Sequence, residues 1–280
     1  MKFNSFGIVG YGHFGEFMAR SFAREPDASV LVTDADAKKL PRPRKHIKAA
    51  SLPDVAACDV VVVSVPFSAL EDVLKELRDH ITDRTVVMDV VSTKSLATGL
   101  LRNVLGEQTN LLATHPLFGP PSMKRMKAGQ HLVVTYTQGE RAMRFRSYLQ
   151  KRFGLDIIDL SPEAHDRTMA YMQALPFFIA RALVDLDILD LEHRDVLSLP
   201  SFEKLATIAA IEQHHTDEMF DTSQRSNPFA AAARQQLVET LEKLNDEIGH
   251  GQYTFHPELH ADPTALEPEA PPATGTTSES

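Results

Sequence analysis

The sequence has no tryptophan and a single cysteine, and its basic residues are the minority charge, 29 lysines and arginines against 38 aspartates and glutamates. The lone thiol, Cys58, excludes an internal disulfide, and with it a fold stapled for an oxidising compartment. A net charge of -9 excludes a chain built to neutralise nucleic-acid phosphates, which needs a concentrated basic surface. No apolar run reaches the roughly 20 residues that cross a bilayer. The opening MKFNSFGIVG enters a strand pattern without the apolar stretch of a signal peptide. A cytoplasmic protein with neither a membrane nor a nucleic-acid partner is therefore expected. The one basic cluster, KKLPRPRKHIK from Lys38 to Lys48, reads either as a solvated loop stiffened by Pro41 and Pro43 or as a phosphate-binding segment.

What remains is an ordinary globular composition, 43% hydrophobic and 24% charged over 280 residues, with room for two modest domains. From Phe6 to about Leu160, short β-branched runs alternate with amphipathic segments. FGIVG, SVLVTD, DVVVVSVP, TVVMDVVS, NLLATH and HLVVTY read as strands. The valine-rich ones are apolar on both faces, as buried parallel strands are. FGEFMARSFARE, ALEDVLKELRDH, KSLATGLLRNVL and ERAMRFRSYLQKRF carry helix-period apolar positions between them. Such alternation predicts an α/β domain over 1–160, a parallel sheet with helices on both faces.

Beyond Ser161 the strand signal fades. SPEAHDRTMAYMQALPFFIARALVDLDIL starts with a serine cap, a proline at the first helical position and an acidic first turn. FEKLATIAAIEQ and PFAAAARQQLVETLEKLNDEIG continue an all-helical domain over 161–255. Its apolar stripes need covering, and a second copy of the chain would supply that, so a homodimer is expected. The proline-, threonine- and acid-rich stretch 256–280 predicts a disordered tail.

GIVGYGHFGEFMA sets Gly10, Gly12 and Gly15 as G-x-G-x-x-G directly after a strand and at the opening of a helix. In that setting each glycine has a task. Gly10 makes the tight turn, Gly12 admits a pyrophosphate to the backbone, and Gly15 packs the helix on the sheet. His13 and Phe14 lie in the first turn, where free N–H groups and the positive end of the helix dipole favour phosphate. The first domain is thus predicted to be of Rossmann type. Asp34, ending the second strand, stands where a carboxylate bonds the ribose 2′-hydroxyl, which favours NAD over NADP. Lys38, Lys39 and Arg42 follow closely and can soften the repulsion of a 2′-phosphate, so NADP stays open. Ser64, Val65 and Pro66 follow the next strand at the carboxyl edge of the sheet and are further cofactor candidates.

DVVSTKS, THPLFGPP and SPEAHDRTMAYMQALP reach the same edge. Taken singly, Ser92 could cap the helix that begins near Lys94, and His165 could be a first-turn residue facing water. His115 differs, because a strand-end histidine followed by proline is held rigidly in the ligand crevice. Together with GIVGYGHFG, these segments resemble the prephenate and arogenate dehydrogenases of tyrosine biosynthesis. The resemblance runs in order from about Phe6 to Ile248, and HPLFGP is its most specific part.

The resemblance implies an oxidative decarboxylation in which a cyclohexadiene bearing a C4 hydroxyl gives a hydride to nicotinamide, loses its ring carboxylate as CO2 and becomes a phenol. It matches His115 to the histidine that accepts the hydroxyl proton, and Ser92 to the serine that helps hold that hydroxyl. His165 matches a second-domain histidine near the substrate. It also implies a homodimer with interlocking helical halves. A neutral imidazole suits proton removal near pH 7. The sequence departs from the family at Glu203, where many prephenate-specific members place an arginine for the ring carboxylate, and at Ala164, where glutamate is frequent. Lys204, Arg225 and Arg181 are then the candidates for binding that carboxylate. Prephenate, arogenate and an amino-substituted prephenate all stay open as substrates. The alternatives are an oxidoreductase resembling β-hydroxyacid dehydrogenases or imine reductases, and a non-catalytic NAD-binding sensor. No metal site is expected.

Overall fold

The computed structural model describes residues 2–43, 46–120, 124–191, 197–214 and 216–251. The expected tail, Pro121, and Arg44 and Lys45 of the basic run lie outside them. Contacts divide the chain into two compact units, Met1–Arg234 and Gln235–Ser280.

The first unit is built on an eight-stranded sheet. In chain order its strands are β1 Ser5–Val9, β2 Ser29–Thr33, β3 Ile47–Ala49, β4 Val60–Val63, β5 Val86–Asp89, β6 Asn110–Pro116, β7 His131–Gln138 and β8 Asp156–Asp159. They lie in the spatial order β3-β2-β1-β4-β5-β6-β7-β8. The reversal of strand order at β1 and β4 opens the crevice where such sheets bind ligands. Helices α1 His13–Phe22, α2 Leu52–Ala56, α3 Phe67–Arg78, α4 Ser95–Leu105 and α5 Glu140–Phe153 cover the faces.

The valine run shows why the sheet is buried on both sides. Val60 and Val62 enter one core with Phe6, Ile8, Phe22 and Phe145, whereas Val61 and Val63 enter the other with Leu70, Leu74 and Leu101. All four valines are fully buried. A strand alternates its side chains between faces, so an unbroken apolar run is what a two-sided core requires. Cys58 is buried at its foot, and burial, then Asp59 and Asp54, push its thiol up to about 12, which leaves it inert.

One pairing corrects the expectation of a purely parallel sheet. β7 runs antiparallel to β6. A parallel return would need a crossover of a dozen or more residues, usually a helix, and the described part of 117–130 holds none. The strands β3 and β8 were also not expected. β3, IKA, ends the basic run, and β8, DIID, carries aspartate at both ends; such charged, short strands suit the two edges that they occupy.

After β8 the described chain is helical. Ser161 caps α6 Pro162–Met169 by accepting from the Ala164 amide, with Pro162 at the first position as expected. A π-helical turn, Ala170–Ala174, interrupts this helix before α7 Leu175–Asp185. Further on come α8 Pro200–Ala209, α9 Asp217–Asp221, a second π turn Thr222–Ser226, and α10 Ala230–Gly249. Only residues up to 251 of the second unit are described, and they form the later turns of α10. Among the described residues no helix is long and apolar enough to cross a membrane.

Candidate active site

The glycine loop follows β1 as the spacing requires. Gly10 has φ +89°, and a Cβ there would stand 2.2 Å from the Ser64 carbonyl, so the loop of Ser64, Val65 and Pro66 lies against this turn. A Cβ on Gly15 would stand 1.9 Å from the Gly10 carbonyl, which ties α1 to the loop. Gly12 has open space where a side chain would be, and no side chain caps the first turn of α1. His13 and Phe14 in that turn therefore leave backbone N–H groups for an anion. Asp34 Oδ2 accepts from the Tyr11 amide at 2.6 Å and Oδ1 from the Asp36 amide at 2.8 Å. One carboxylate thus fixes the glycine loop against the end of β2, and its remaining lone pairs can accept a hydroxyl. These residues fit a dinucleotide.

The second half of the site hangs on β6, every residue of which is buried. Its pairing with β7 slips by one residue between Ala113 and Thr114. Such irregularities are common beside functional sites, where they re-aim a side chain, and His115 comes next. The loop after it returns to the cofactor half, since a Cβ on Gly119 would stand 3.0 Å from the Phe14 ring. Gly119 thus permits a close approach to α1.

Behind His115 lies a chain of polar groups. His115 Nδ1 and His165 Nε2 are 2.9 Å apart, and His165 Nδ1 is 2.8 Å from Asp166 Oδ1. His115 is 7% exposed, and His165 and Asp166 are 0% exposed. The Asp166 carboxylate also accepts from the Lys94 amide at 2.7 Å and the Ser95 amide at 2.8 Å, at the start of α4. Burial raises its pKa, but the His165 bond and these amides outweigh burial and hold it below the ordinary carboxylate value.

An ionised Asp166 can only accept, and this orders the protons. His165 Nδ1 donates to Asp166, so neutral His165 accepts at Nε2. His115 Nδ1 must then donate, and the His115 lone pair sits on Nε2. Burial, and after it His165 and Lys94, push the His115 pKa well below 6.5.

An ion pair with no exposure braces the cluster from below. Lys94 Nζ donates to Asp89 Oδ2 at 2.6 Å, to the Thr114 carbonyl at 2.7 Å and to the Val91 carbonyl at 3.2 Å. Asp89 Oδ1 accepts from the Thr114 amide at 3.2 Å. The residue preceding His115 is thereby held at both backbone polar groups. From the helical half, Asn227 Nδ2 donates to the Asp166 carbonyl at 2.8 Å, and Gln224 Nε2 to the Ala174 carbonyl at 2.7 Å.

The sequence-derived candidates fare unequally. His115 and His165 are brought into direct contact, although His165 does not face water and spends both nitrogens on His115 and Asp166. Ser92 is half-buried in the loop before α4 and does not cap that helix, whose cap is Lys94 without a side-chain bond. Arg181 is engaged by Glu212 and Asp217. Arg225 is largely exposed and pairs with Asp221 at 3.3 Å, and Lys204 is exposed on α8 beside Glu203. Sequence reasoning missed Asp89, Lys94, Asp166 and Asn227. Charged residues at the end of an apolar strand and inside the DVVSTKS and AHDR segments were the available signal. Among the described residues no group of side chains could hold a metal ion.

Folding stability carries the signature of the neutral histidine. The unfolded chain binds a proton at His115 near pH 6.5 that the folded protein refuses, so stability rises with pH through this range and falls on acidification below it. Urea unfolding at stepped pH checks this: the wild type loses up to about 1.4 kcal/mol per pH unit below 6.5 from this one group, and His115→Gln shows a shallower slope.

A glycine loop opening a helix at the switch point of a mostly parallel sheet, beside a loop led by a buried imidazole, defines a Rossmann-type nucleotide-binding protein with a helical second half. Residues 19–146 match the model of the prephenate dehydrogenase nucleotide-binding domain. Over that segment, which is just under half of its length, the chain is similar to the prephenate dehydrogenases. It is 24% identical over 255 residues to a probable arogenate/prephenate dehydrogenase of Methanocaldococcus jannaschii, covering 85% of this chain and 55% of that one. It is 29% identical over 203 residues to the 4-amino-4-deoxyprephenate dehydrogenase of Streptomyces pristinaespiralis, covering 70% and 66%. The chain thus spans about half to two thirds of the length of these relatives. The fold is shared with A. aeolicus prephenate dehydrogenase, solved in complex with hydroxyphenyl propionate and NAD+. The TM-score is 0.72 at 20% identity, over 90% of this chain and 92% of that one.

Proposed function

We propose that the protein catalyses the NAD-dependent oxidative decarboxylation of a prephenate-type cyclohexadiene, with prephenate, arogenate and 4-amino-4-deoxyprephenate as the substrates to compare. The observation that carries this reading is the ordered chain from Asp166 through His165, which leaves His115 Nε2 as an unprotonated base at the end of β6, where the following loop touches the cofactor half. When bound, the nicotinamide supplies the hydride acceptor.

The chain's own residues do the rest. Gly12 and the first turn of α1 receive the pyrophosphate, and Asp34 receives the ribose hydroxyl. His115 accepts the proton of the C4 hydroxyl, and Ser92 supports that hydroxyl. The rigid placement of His115 by Lys94 and Pro116 lowers the cost of orientation. Lys204, Arg181 and Arg225 remain the proposed partners of the substrate's carboxylates; of the three, Arg181 is already neutralised by two acidic groups. The domains are proposed as 1–160 for the cofactor, 161–255 for substrate and dimerisation, and 256–280 as a tail. The dimer reading rests on Tyr171, Met172, Leu186, Leu199, Leu205 and Met219, large apolar side chains exposed on the helical half.

The deciding experiment offers each substrate with NAD and with NADP and follows the absorbance of the reduced nicotinamide. Reduction with at least one substrate is expected; none with any substrate under either cofactor overturns the proposal. Asp34→Ser is expected to shift the ratio of kcat/KM from NAD toward NADP by roughly tenfold or more, since loss of a hydrogen bond to a charged group is worth about 1.5–3 kcal/mol. An unchanged ratio would remove Asp34 from cofactor recognition.

A further inference from the structure

We infer that His165 and Asp166 form a closed proton store behind His115, which takes up the substrate's hydroxyl proton during oxidation and returns it to the product. The inference rests on the reaction proposed above and deepens it.

The reaction needs a base only temporarily. Hydride leaves C4 with its electron pair for the nicotinamide, and the O–H bond breaks with its electrons left on oxygen to form the carbonyl. The bond to the ring carboxylate then breaks, CO2 departs, and that electron pair flows through the ring to the same oxygen. Oxygen takes the proton back and the phenol is complete. The ring has lost two electrons, the nicotinamide has gained them, and no proton has been released.

The cluster is built for such a round trip. The charged groups that act on the imidazole pair are Lys94 at the start of α4, itself paired with Asp89 of β5, and Asp166 on α6. Lys94 and Asp89 form an ion pair with no net charge, so the cluster as a whole carries the one negative charge of Asp166, which one added proton neutralises, while Lys94 opposes a proton that stays on His115. When His115 Nε2 takes the substrate proton, His115 Nδ1 passes its own across 2.9 Å to His165 Nε2. The imidazolium then rests on His165, hydrogen-bonded to the carboxylate, and His115 stays neutral with its proton moved to Nε2. There it points back to where the proton came from. His165 and Asp166 have no exposure through which the proton could escape to water. His165 and Asp166 are thus positioning residues that act through His115.

Histidine-selective 15N NMR of the free protein tests the store without turnover, with the His115 signals assigned from the His115→Asn variant. At neutral pH, His115 is expected as the Nδ1–H tautomer and His165 with its proton on Nδ1. On acidification, one proton enters the pair, His165 becomes doubly protonated and His115 switches to Nε2–H. A neutral His115 carrying its proton on Nε2 at the outset, or a His115 that becomes doubly protonated while His165 stays neutral, overturns the inference. Kinetics supply the second arm. In His165→Gln the amide can accept from His115 and donate to Asp166 but cannot take up a proton. It is expected to lower kcat roughly ten- to a hundredfold, part of the effect of a general base, with KM within about twofold and the acid limb of the kcat profile moved to lower pH. Full activity in His165→Gln would reduce His165 to an orienting role and overturn the store. If no substrate is oxidised at all, the reaction proposed above fails, and the NMR outcome still decides the inference.

Discussion

His115→Asn lowers turnover by roughly two to four powers of ten, the usual contribution of a positioned general base, or about 3–5.5 kcal/mol of transition-state stabilisation. Asparagine is the informative replacement because its amide can occupy the place of Nδ1. It can still donate to His165 Nε2, so the buried chain to Asp166 keeps its partners. What disappears is Nε2, the one nitrogen free to accept a proton. Binding of NAD is expected to change little, because the glycine loop, Asp34 and the loop after β4 do not use the imidazole. The melting temperature should also stay within a few degrees. The measurements are steady-state kinetics beside a cofactor titration and a thermal scan. Near-normal turnover in a variant of normal stability would refute the role of His115, whereas a collapse of NAD binding would show that the change had spread beyond the base.

The legible parts of this protein follow from local rules. A helix period, a valine run and a glycine fingerprint each fix their own segment, so the strand and helix assignments between Phe6 and Asp159 translate into the observed elements with few losses. β3 and β8 escaped because edge strands are short and charged, which is what keeps an edge from pairing with other chains. The direction of β7 escaped because it depends on the connection after β6, whose described residues hold no crossover helix. The site was legible at its two ends, Gly10 to Gly15 and His115, where glycine permits a turn and a close approach that other residues do not and proline restricts the backbone. Its middle was not. Nothing in AHDR reveals that His165 turns inward while Arg167, two residues on, pairs with Glu163 at the surface. That choice is made by two amides at the start of α4, 71 and 72 residues away in sequence, which need a carboxylate. Asn227 holds the other side of Asp166 from 61 residues further on. Long-range hydrogen bonds of this kind have no sequence period, so only the tertiary structure discloses them.

The same logic gives Lys94 a large weight in folding. Its ammonium is fully buried, and burial lowers its pKa against the opposing pull of Asp89. All three of its donors are used, on Asp89, Val91 and Thr114. Lys94→Met keeps the apolar stem and deletes the charge, which strands the Asp89 carboxylate without its counter-ion. Breaking one side of a buried pair costs about 3–5 kcal/mol. At about 2–4 °C per kcal/mol for a chain of this size, the melting temperature falls by roughly 6–20 °C. Asp89→Asn should cost a similar amount by stranding the cation instead. The double variant Asp89→Asn with Lys94→Met leaves no buried charge in the pair, and its loss should be smaller than the sum of the two, with a coupling energy of about 1–3 kcal/mol. Lys94→Arg should not rescue the fold, because a planar guanidinium cannot aim three donors from the point that the ammonium occupies. Denaturant unfolding of the three variants and the wild type completes the cycle. Strict additivity, or a single-variant loss below about 1 kcal/mol, would mean that the pair is not what holds the strand end beneath His115.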